Sequence, residues 1–280
     1  MKEVENSEVD GNVEAEVEPI KQDATKGHVL DIGPGSIAVE LPCGYIDGEA
    51  VHASAVVREM RGHEEDILAG SGPVSARMNA IIGNCLIGVG SISEPSKLRG
   101  IVERLMAPDR MALLIAIRRA SLGDKFDAHV VCPLCKGEQH VTLDLKEVET
   151  VPMPDRMTRE KTSALPSGIE IVWHVLTNDD EEWLTEKRKK KVDLLTLGLL
   201  ARIDMVNGDD IDRSQGYRRA VSAVKDLSMR DRTALRAIFE KEEGKVDTNV
   251  TFECSNPDCG HEWSGKMDIG QRGFFFPSAP

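Results

Sequence analysis

The chain has 280 residues, of which 40% are hydrophobic, 4% aromatic and 30% charged, and its formal net charge is −13. That is enough for two modest domains, with cores built from Leu, Ile, Val, Ala and Met rather than from rings. The acidic balance excludes a general affinity for nucleic acid, which needs basic surface to displace counterions, and it favours solubility.

Residues 1–26 read as an acidic, disordered arm. Glu3, Glu5, Glu8, Asp10, Glu14, Glu16, Glu18 and Asp23 face only Lys2, Lys21 and Lys26. Such a segment buries too little apolar surface to offset its ordering entropy. Its start, Met1-Lys2-Glu3-Val4-Glu5, lacks the apolar region of a signal peptide.

A first unit is expected over residues 28–150. An extended stretch at 37–40 leads into Leu41-Pro42-Cys43-Gly44. Cys85, in the apolar run Ile81-Ile82-Gly83-Asn84-Cys85-Leu86-Ile87, reads as a buried small hydrophobe. Pro108 suits the first position of a helix whose buried stripe is Leu113, Leu114 and Ile117, with Gly123 as its C′ residue. The strongest apolar run, 112–117, lies between Arg110 and Arg118 and is far too short to span a bilayer. An alternating strand at 126–131 then meets Cys132-Pro-Leu-Cys135, and Val141-Thr142-Leu143-Asp144-Leu145 is the return strand.

A second unit, over residues 160–272, repeats this order. Leu165-Pro166-Ser167-Gly168 matches the Leu-Pro-Cys-Gly run at an offset of 124. An extended stretch at 169–175 follows, with Asn178 or Asp179 as the N-cap of an acidic first turn. A Leu-rich pattern continues over 192–206. Leu227-Ser228-Met229-Arg230-Asp231-Arg232-Thr233-Ala234-Leu235 aligns with the run from Leu105 to Leu113 at an offset of 122, and Ser228 with Asp231 resembles a capping box. Leu235, Ile238 and Phe239 mark its buried stripe and Gly244 its C′. After a strand at 246–252, Cys254 follows Cys132 at 122, and Cys259 follows Cys135 at 124 because the second knuckle is two residues wider. The fold class is therefore α+β: two tandem homologous units, each a helical layer plus a β-hairpin with a cysteine knuckle at its tip.

Two cysteine pairs between strand-like runs point to one shared, zinc-ribbon-like four-cysteine site made of Cys132, Cys135, Cys254 and Cys259, with one structural zinc. Gly260 directly after Cys259, and Gly137 two residues after Cys135, suit the turns. Three other readings stand beside it: reduced thiols; a redox couple in each unit, although redox Cys-x-x-Cys pairs normally open a helix; or two separate metals completed by His140 and His261, which have no counterparts in the alignment.

Other signals are weak. Gly33-Pro34-Gly35 and Gly88-Val89-Gly90 lack the third glycine of a dinucleotide loop. The seven histidines are scattered, so no nucleophile–base pair is legible and no catalytic residue or small-molecule substrate is expected. Lys187-Arg188-Lys189-Lys190-Lys191, preceded by Asp180, Glu181, Glu182 and Glu186, reads as a solvated helix face. Phe274, Phe275 and Phe276 before Pro277, in a separate tail over 273–280, either pack back onto the second unit or bind a partner protein.

The Leu-Pro-Ser-Gly opening, the Asp109-Arg110-Met111-Ala112-Leu113-Leu114 helix, the turn from Arg118 to Phe126, the Cys-Pro-x-Cys knuckle and the Phe-Phe-Phe-Pro end together resemble baseplate proteins of contractile phage tails, over most of residues 40–277. The pattern is similar to the T4-type baseplate hub and hub-assembly chaperone family. That resemblance implies a non-enzymatic structural or assembly role with other tail baseplate proteins as partners, in the virion or in the host cytoplasm during assembly, and with no nucleic acid or membrane. The alternative is a zinc-ribbon nucleic-acid-binding or regulatory module. It predicts a basic face around the knuckles, whereas the flanks carry Asp127, Glu138, Asp144, Glu253, Asp258, Glu262 and Asp268 against Lys125, Lys136, Lys146 and Lys266.

Overall fold

A long β-hairpin, β1 (Ser36–Asp47) and β2 (Ala50–Arg58), opens the chain, followed by α1 (Gly62–Ala69) and α2 (Val74–Cys85). Then come β3 (Leu86–Val89), α3 (Pro95–Arg104), α4 (Ala107–Leu122) and a ribbon of β4 (Lys125–Val131) and β5 (Glu138–Asp144). After β6 (Thr150–Val151) the order recurs: β7 (Glu160–Ala164), β8 (Glu170–His174), α5 (Asn178–Arg188), α6 (Leu194–Leu200) and β9 (Ile203–Val206) with β10 (Asp209–Asp210). The chain continues through α7 (Tyr217–Asp226), α8 (Met229–Glu242), β11 (Lys245–Val246), a second ribbon of β12 (Asn249–Glu253) and β13 (Glu262–Lys266), and α9 (Arg272–Phe275). This computed structural model describes residues 33–188, 193–214, 216–267, 269 and 272–275; the arm over 1–26, Lys189 to Lys191 and Phe276 lie outside them.

The sheets are ordered β1-β2-β3 and β10-β9-β8-β7, all antiparallel. In each, the third strand returns beside the second after two helices and carries one bulge. The register slips between Val56 and Val57 in one sheet and between Val172 and Trp173 in the other. The last part of the Leu-rich 192–206 pattern is thus a strand, because β9 must cover the edge of β8.

One carboxylate in each half holds the Leu-Pro-x-Gly run. Asp109 Oδ1 accepts from the Cys43 and Gly44 N–H groups at 2.7 and 3.2 Å. Asp231 Oδ1 accepts from Ser167 N–H at 3.0 Å. The two runs differ in setting. Leu165-Pro166-Ser167-Gly168 is the turn between β7 and β8, whereas Leu41-Pro42-Cys43-Gly44 is a bulge inside the longer first hairpin. The stretches at 37–40 and 169–175 therefore lie on opposite sides of the motif, and β7 is the element that stands where 37–40 does.

Several local features differ from the sequence-based expectation. The α5 cap is Thr177: its N–H and hydroxyl donate to Asp180 Oδ2, and its hydroxyl accepts from Asp180 N–H. Ser228 caps α8 as expected, accepting from Asp231 N–H. Gly123 ends α4 at φ +84°, where a side chain would be strained. Gly244 has no such φ; its requirement is space, since a Cβ there would lie 2.9 Å from the Pro42 carbonyl carbon. The expected strand over 246–252 is split, because β11 leaves to pair with β6.

The largest core lies under the first sheet and includes Leu41, Val57, Ile81, Ile82, Leu113 and Ile117. Val246, Met267, Ile269, Phe274 and Phe275 also belong to it, so α9 returns to the N-terminal half. Phe274 and Phe275 are 0% and 4% exposed, and Phe274 meets Phe126 edge-on with centroids 5.3 Å apart. Buried Arg118 fixes them. Its guanidinium donates to the carbonyls of Phe274, Gly123 and Lys125 at 2.8, 3.0 and 3.1 Å. The expected docking peg is therefore corrected for these two rings. Burying them in this core removes large apolar surfaces from water, and they pack against the N-terminal half rather than the second unit. A second core holds Leu165, Ile171, Trp173, Leu200, Val224 and Phe239.

Phe274→Ala is expected to cost about 3–5 kcal/mol, the range for emptying a buried Phe site. Denaturant unfolding measures it; an unchanged midpoint would return the ring to an exposed role.

Candidate metal centre

The two ribbons fix the cysteines. In the first, seven residue pairs run from Lys125↔Asp144 to Val131↔Glu138. In the second, five run from Asn249↔Lys266 to Glu253↔Glu262. Each ribbon ends in a tight knuckle. Cys132 N–H donates to Gly137 O at 2.9 Å, and Lys136 N–H donates to Cys132 O at 3.0 Å. Cys254 N–H donates to His261 O at 2.9 Å, and Cys259 N–H donates to Asn256 O at 2.9 Å. The residue directly after the second cysteine is left-handed in both: Lys136 at φ 62° and Gly260 at φ 53°. The sequence marks this turn at Gly260, as expected. In the first knuckle the strained position falls on Lys136, and Gly137 serves differently: its N–H donates to Cys135 Sγ at 3.4 Å.

The tips meet. Cys132 Sγ lies 3.9 Å from Cys259 Sγ, and Cys135 Sγ lies 3.5 Å from Cys254 Sγ. All four sulfurs fall within 4.8 Å of one another. A tetrahedral Zn–S bond of about 2.3 Å implies sulfurs about 3.8 Å apart, whereas a disulfide needs about 2.05 Å. The spacing fits four ligands around one metal ion and no disulfide. The histidines are not in the cluster: His129 and His140 pack ring to ring on the first ribbon, and His261 stacks on Trp263.

The thiols influence one another. Desolvation pushes Cys132 up, but the N–H groups of Cys135 and Leu134, with the neighbouring thiols, outweigh it and bring it down to about 7. Cys254 gains from the Asn256 N–H, yet desolvation and the surrounding thiols push it up to about 12. Cys259 is raised as well, by desolvation and the Cys135 and Cys132 thiols against the His261 N–H. Cys132 thus ionises easily while Cys254 and Cys259 resist, because a thiolate there adds negative charge beside the first. A bound cation reverses that penalty.

Gln139 joins the ribbons beside the sulfurs. It is buried, donates from Nε2 to Glu253 O at 2.7 Å and accepts from Ser255 N–H through Oε1 at 2.8 Å. Nothing in the sequence analysis singled it out. The signal was present: Gln139 sits in phase with Val141 and Leu143, the inward positions of β5, where a polar residue needs a partner.

Cys43 and Cys85 lie apart from the cluster and are both buried, Cys85 as expected, with thiols raised by desolvation, Cys85 to about 12. Lys187 lies over the rings of Trp183 and Tyr217, so part of the basic run packs on aromatics rather than standing free.

A second ionisable group, unread in the sequence, lies in the C-terminal half. His174 Nδ1 meets Asp204 at 2.6 Å and Nε2 meets Asp180 at 3.0 Å. Asp180 also accepts from Arg213 at 2.7 Å. Asp204 lies 30 residues on in β9, and Asp180, 6 residues on, reaches His174 across the turn into α5, so the strand and helix periodicities alone could not reveal the group. Both ring nitrogens are engaged, so the imidazole has none left for general acid–base work, and the group acts as a clamp between β8, β9 and α5. Burial alone would lower His174; the two carboxylates outweigh it and raise it to about 9. Asp180, despite burial, is held well below the usual carboxylate range by His174, Thr177 and Arg213.

The raised folded value means that the clamp's contribution is fully present below the unfolded value of 6.5 and is lost as pH rises through about 9. Thermal unfolding of the wild type is expected to fall across that window, and His174→Phe to lack that fall. A parallel fall in both would assign the pH dependence elsewhere.

A comparison with protein families matches residues 75–275 to the model described as T4 bacteriophage base plate protein. No curated protein matches the chain. No solved structure does either.

Proposed function

The chain belongs to the T4 bacteriophage base plate protein family, and from that premise we propose that it is a non-enzymatic hub subunit or hub-assembly chaperone of a contractile tail baseplate, built as two tandem homologous units stapled by one structural zinc. The family match over residues 75–275 carries this reading. Its partners are other baseplate proteins, and its place is the virion tail or the host cytoplasm during assembly.

The four sulfurs support the zinc. Cys132, Cys135, Cys254 and Cys259 would hold it, with a spacing and all-thiolate chemistry that suit a closed, structural site. Zinc there would neutralise the thiolates and couple the two ribbons to folding. The duplication is supported by matched sheet orders, matched bulges and the matched Asp109 and Asp231 clamps. A non-enzymatic role is supported by the engaged nitrogens of His174 and the burial of Cys43 and Cys85. No helix of the described residues is long and apolar enough to cross a membrane.

Quantitative mass spectrometry of purified tails and of infected-cell lysate tests the reading. The chain at a fixed ratio to other baseplate proteins identifies a hub subunit. Its presence in lysate bound to baseplate proteins, but not in finished tails, identifies an assembly chaperone. Absence of any association with baseplate proteins in both would refute the proposal.

A further inference from the structure

The faces by which the two halves meet recur, uncovered, at opposite ends of the chain. Two independent anchors set the correspondence. Leu86 opposite Val57 stands where Ile203 stands opposite Trp173. Asp109 binds the first Leu-Pro-x-Gly run as Asp231 binds the second. Counted back from these anchors, Met78 on α2 corresponds to Leu195 on α6, and Ala107 on α4 to Met229 on α8.

Met78 and Ala107 are both 7% exposed. They line the groove where the N-terminal half receives the start of α5. There Ala107 N–H donates to Leu176 O at 3.1 Å, Met106 bridges Thr177, and Arg110 pairs with Glu181 at 2.7 Å. Their counterparts have no such cover: Leu195 is 65% and Met229 72% exposed. Large apolar side chains at that exposure, side by side in the correspondence, mark a face that lacks its partner.

The matching insert is also on this chain. The residues entering α5 correspond to those entering α1. Asp180 accepts from Thr177 N–H in one, and Glu64 accepts from Arg61 N–H at 2.8 Å in the other; both carboxylates are buried. One residue on, Glu65 therefore stands where Glu181 stands, and it is exposed together with Arg61 and His63. The counterpart of Arg110 is Arg232, which is turned inward, 9% exposed, and donates to Thr196 Oγ1 and Val224 O, so the open face itself is the apolar pair Leu195 and Met229.

We propose that a second copy of this chain docks the start of its α1, around Arg61 and Glu65, onto the Leu195 and Met229 face, repeating between copies the contact that joins the halves within one. The contact is head-to-tail, so it leaves one free face at each end and propagates. It rests on the correspondence of the two halves and goes beyond the baseplate role, which stands or falls on the tail inventory instead.

Sedimentation velocity over a wide concentration range, at about 0.15 M salt to screen the acidic surface beyond about 8 Å, tests it with the full chain. The wild type should rise at least twofold in weight-average mass. Met229→Asp and Glu65→Arg, both at exposed positions, should each stay monomeric alone. Mixed, they should form a dimer of one of each and stop there, because each retains one intact face. A wild type that remains monomeric throughout, or single variants that associate like the wild type, would overturn the proposal.

Discussion

Four sulfurs brought within 4.8 Å of one another govern the arrangement of this protein. They come from ribbon tips separated by more than a hundred residues, and each tip supplies two of them. Neither knuckle is complete alone. The cluster also cannot ionise freely alone, since Cys254 and Cys259 are raised beside the neighbouring thiols. The meeting of the tips is therefore linked to whatever cation neutralises them, and the ribbons are held in register by buried Gln139 just behind the sulfurs. Beyond that point the structure interlocks through backbone: β6 pairs with β11, Met153 N–H reaches Pro42 O, and Phe274 and Phe275 are buried near α4, with Arg118 gripping the Phe274 carbonyl.

The Asp109 and Asp231 clamps share an outline and differ in chemistry. Asp231 is held below the usual carboxylate range, first by the Ser228 hydroxyl and also by Ser167. At the same places the N-terminal half has Met106 and Cys43, which offer no hydroxyl. Asp109 keeps its two backbone donors, but its Oδ2 is buried without a partner, and burial pushes the group up to about 6. The first clamp thus carries an uncompensated desolvation cost that the second avoids.

Much of this was legible in the sequence because it is written in spacing. The offsets of 122 and 124 located both knuckles, the Leu-Pro-x-Gly runs and the α4 and α8 helices, since periodicity and turn chemistry are local. What escaped was set by distant partners. Gly244 looked like a helix end, but its need is the backbone of Pro42, about two hundred residues earlier in the chain. Phe274 and Phe275 looked like a peg because nothing nearby in sequence could cover them; the cover is Phe126 and α4. Gln139 was invisible for the same reason, its partners Glu253 and Ser255 lying on the other ribbon, and His174 because one of its two carboxylates, Asp204, is on β9.

Zinc K-edge X-ray absorption on the full chain, purified under reducing conditions and supplied with zinc, tests the central claim most directly. The account predicts one zinc per chain with a first shell of four sulfurs at about 2.3 Å. A first shell containing imidazole nitrogen, or a folded reduced chain that takes up no zinc, would contradict it.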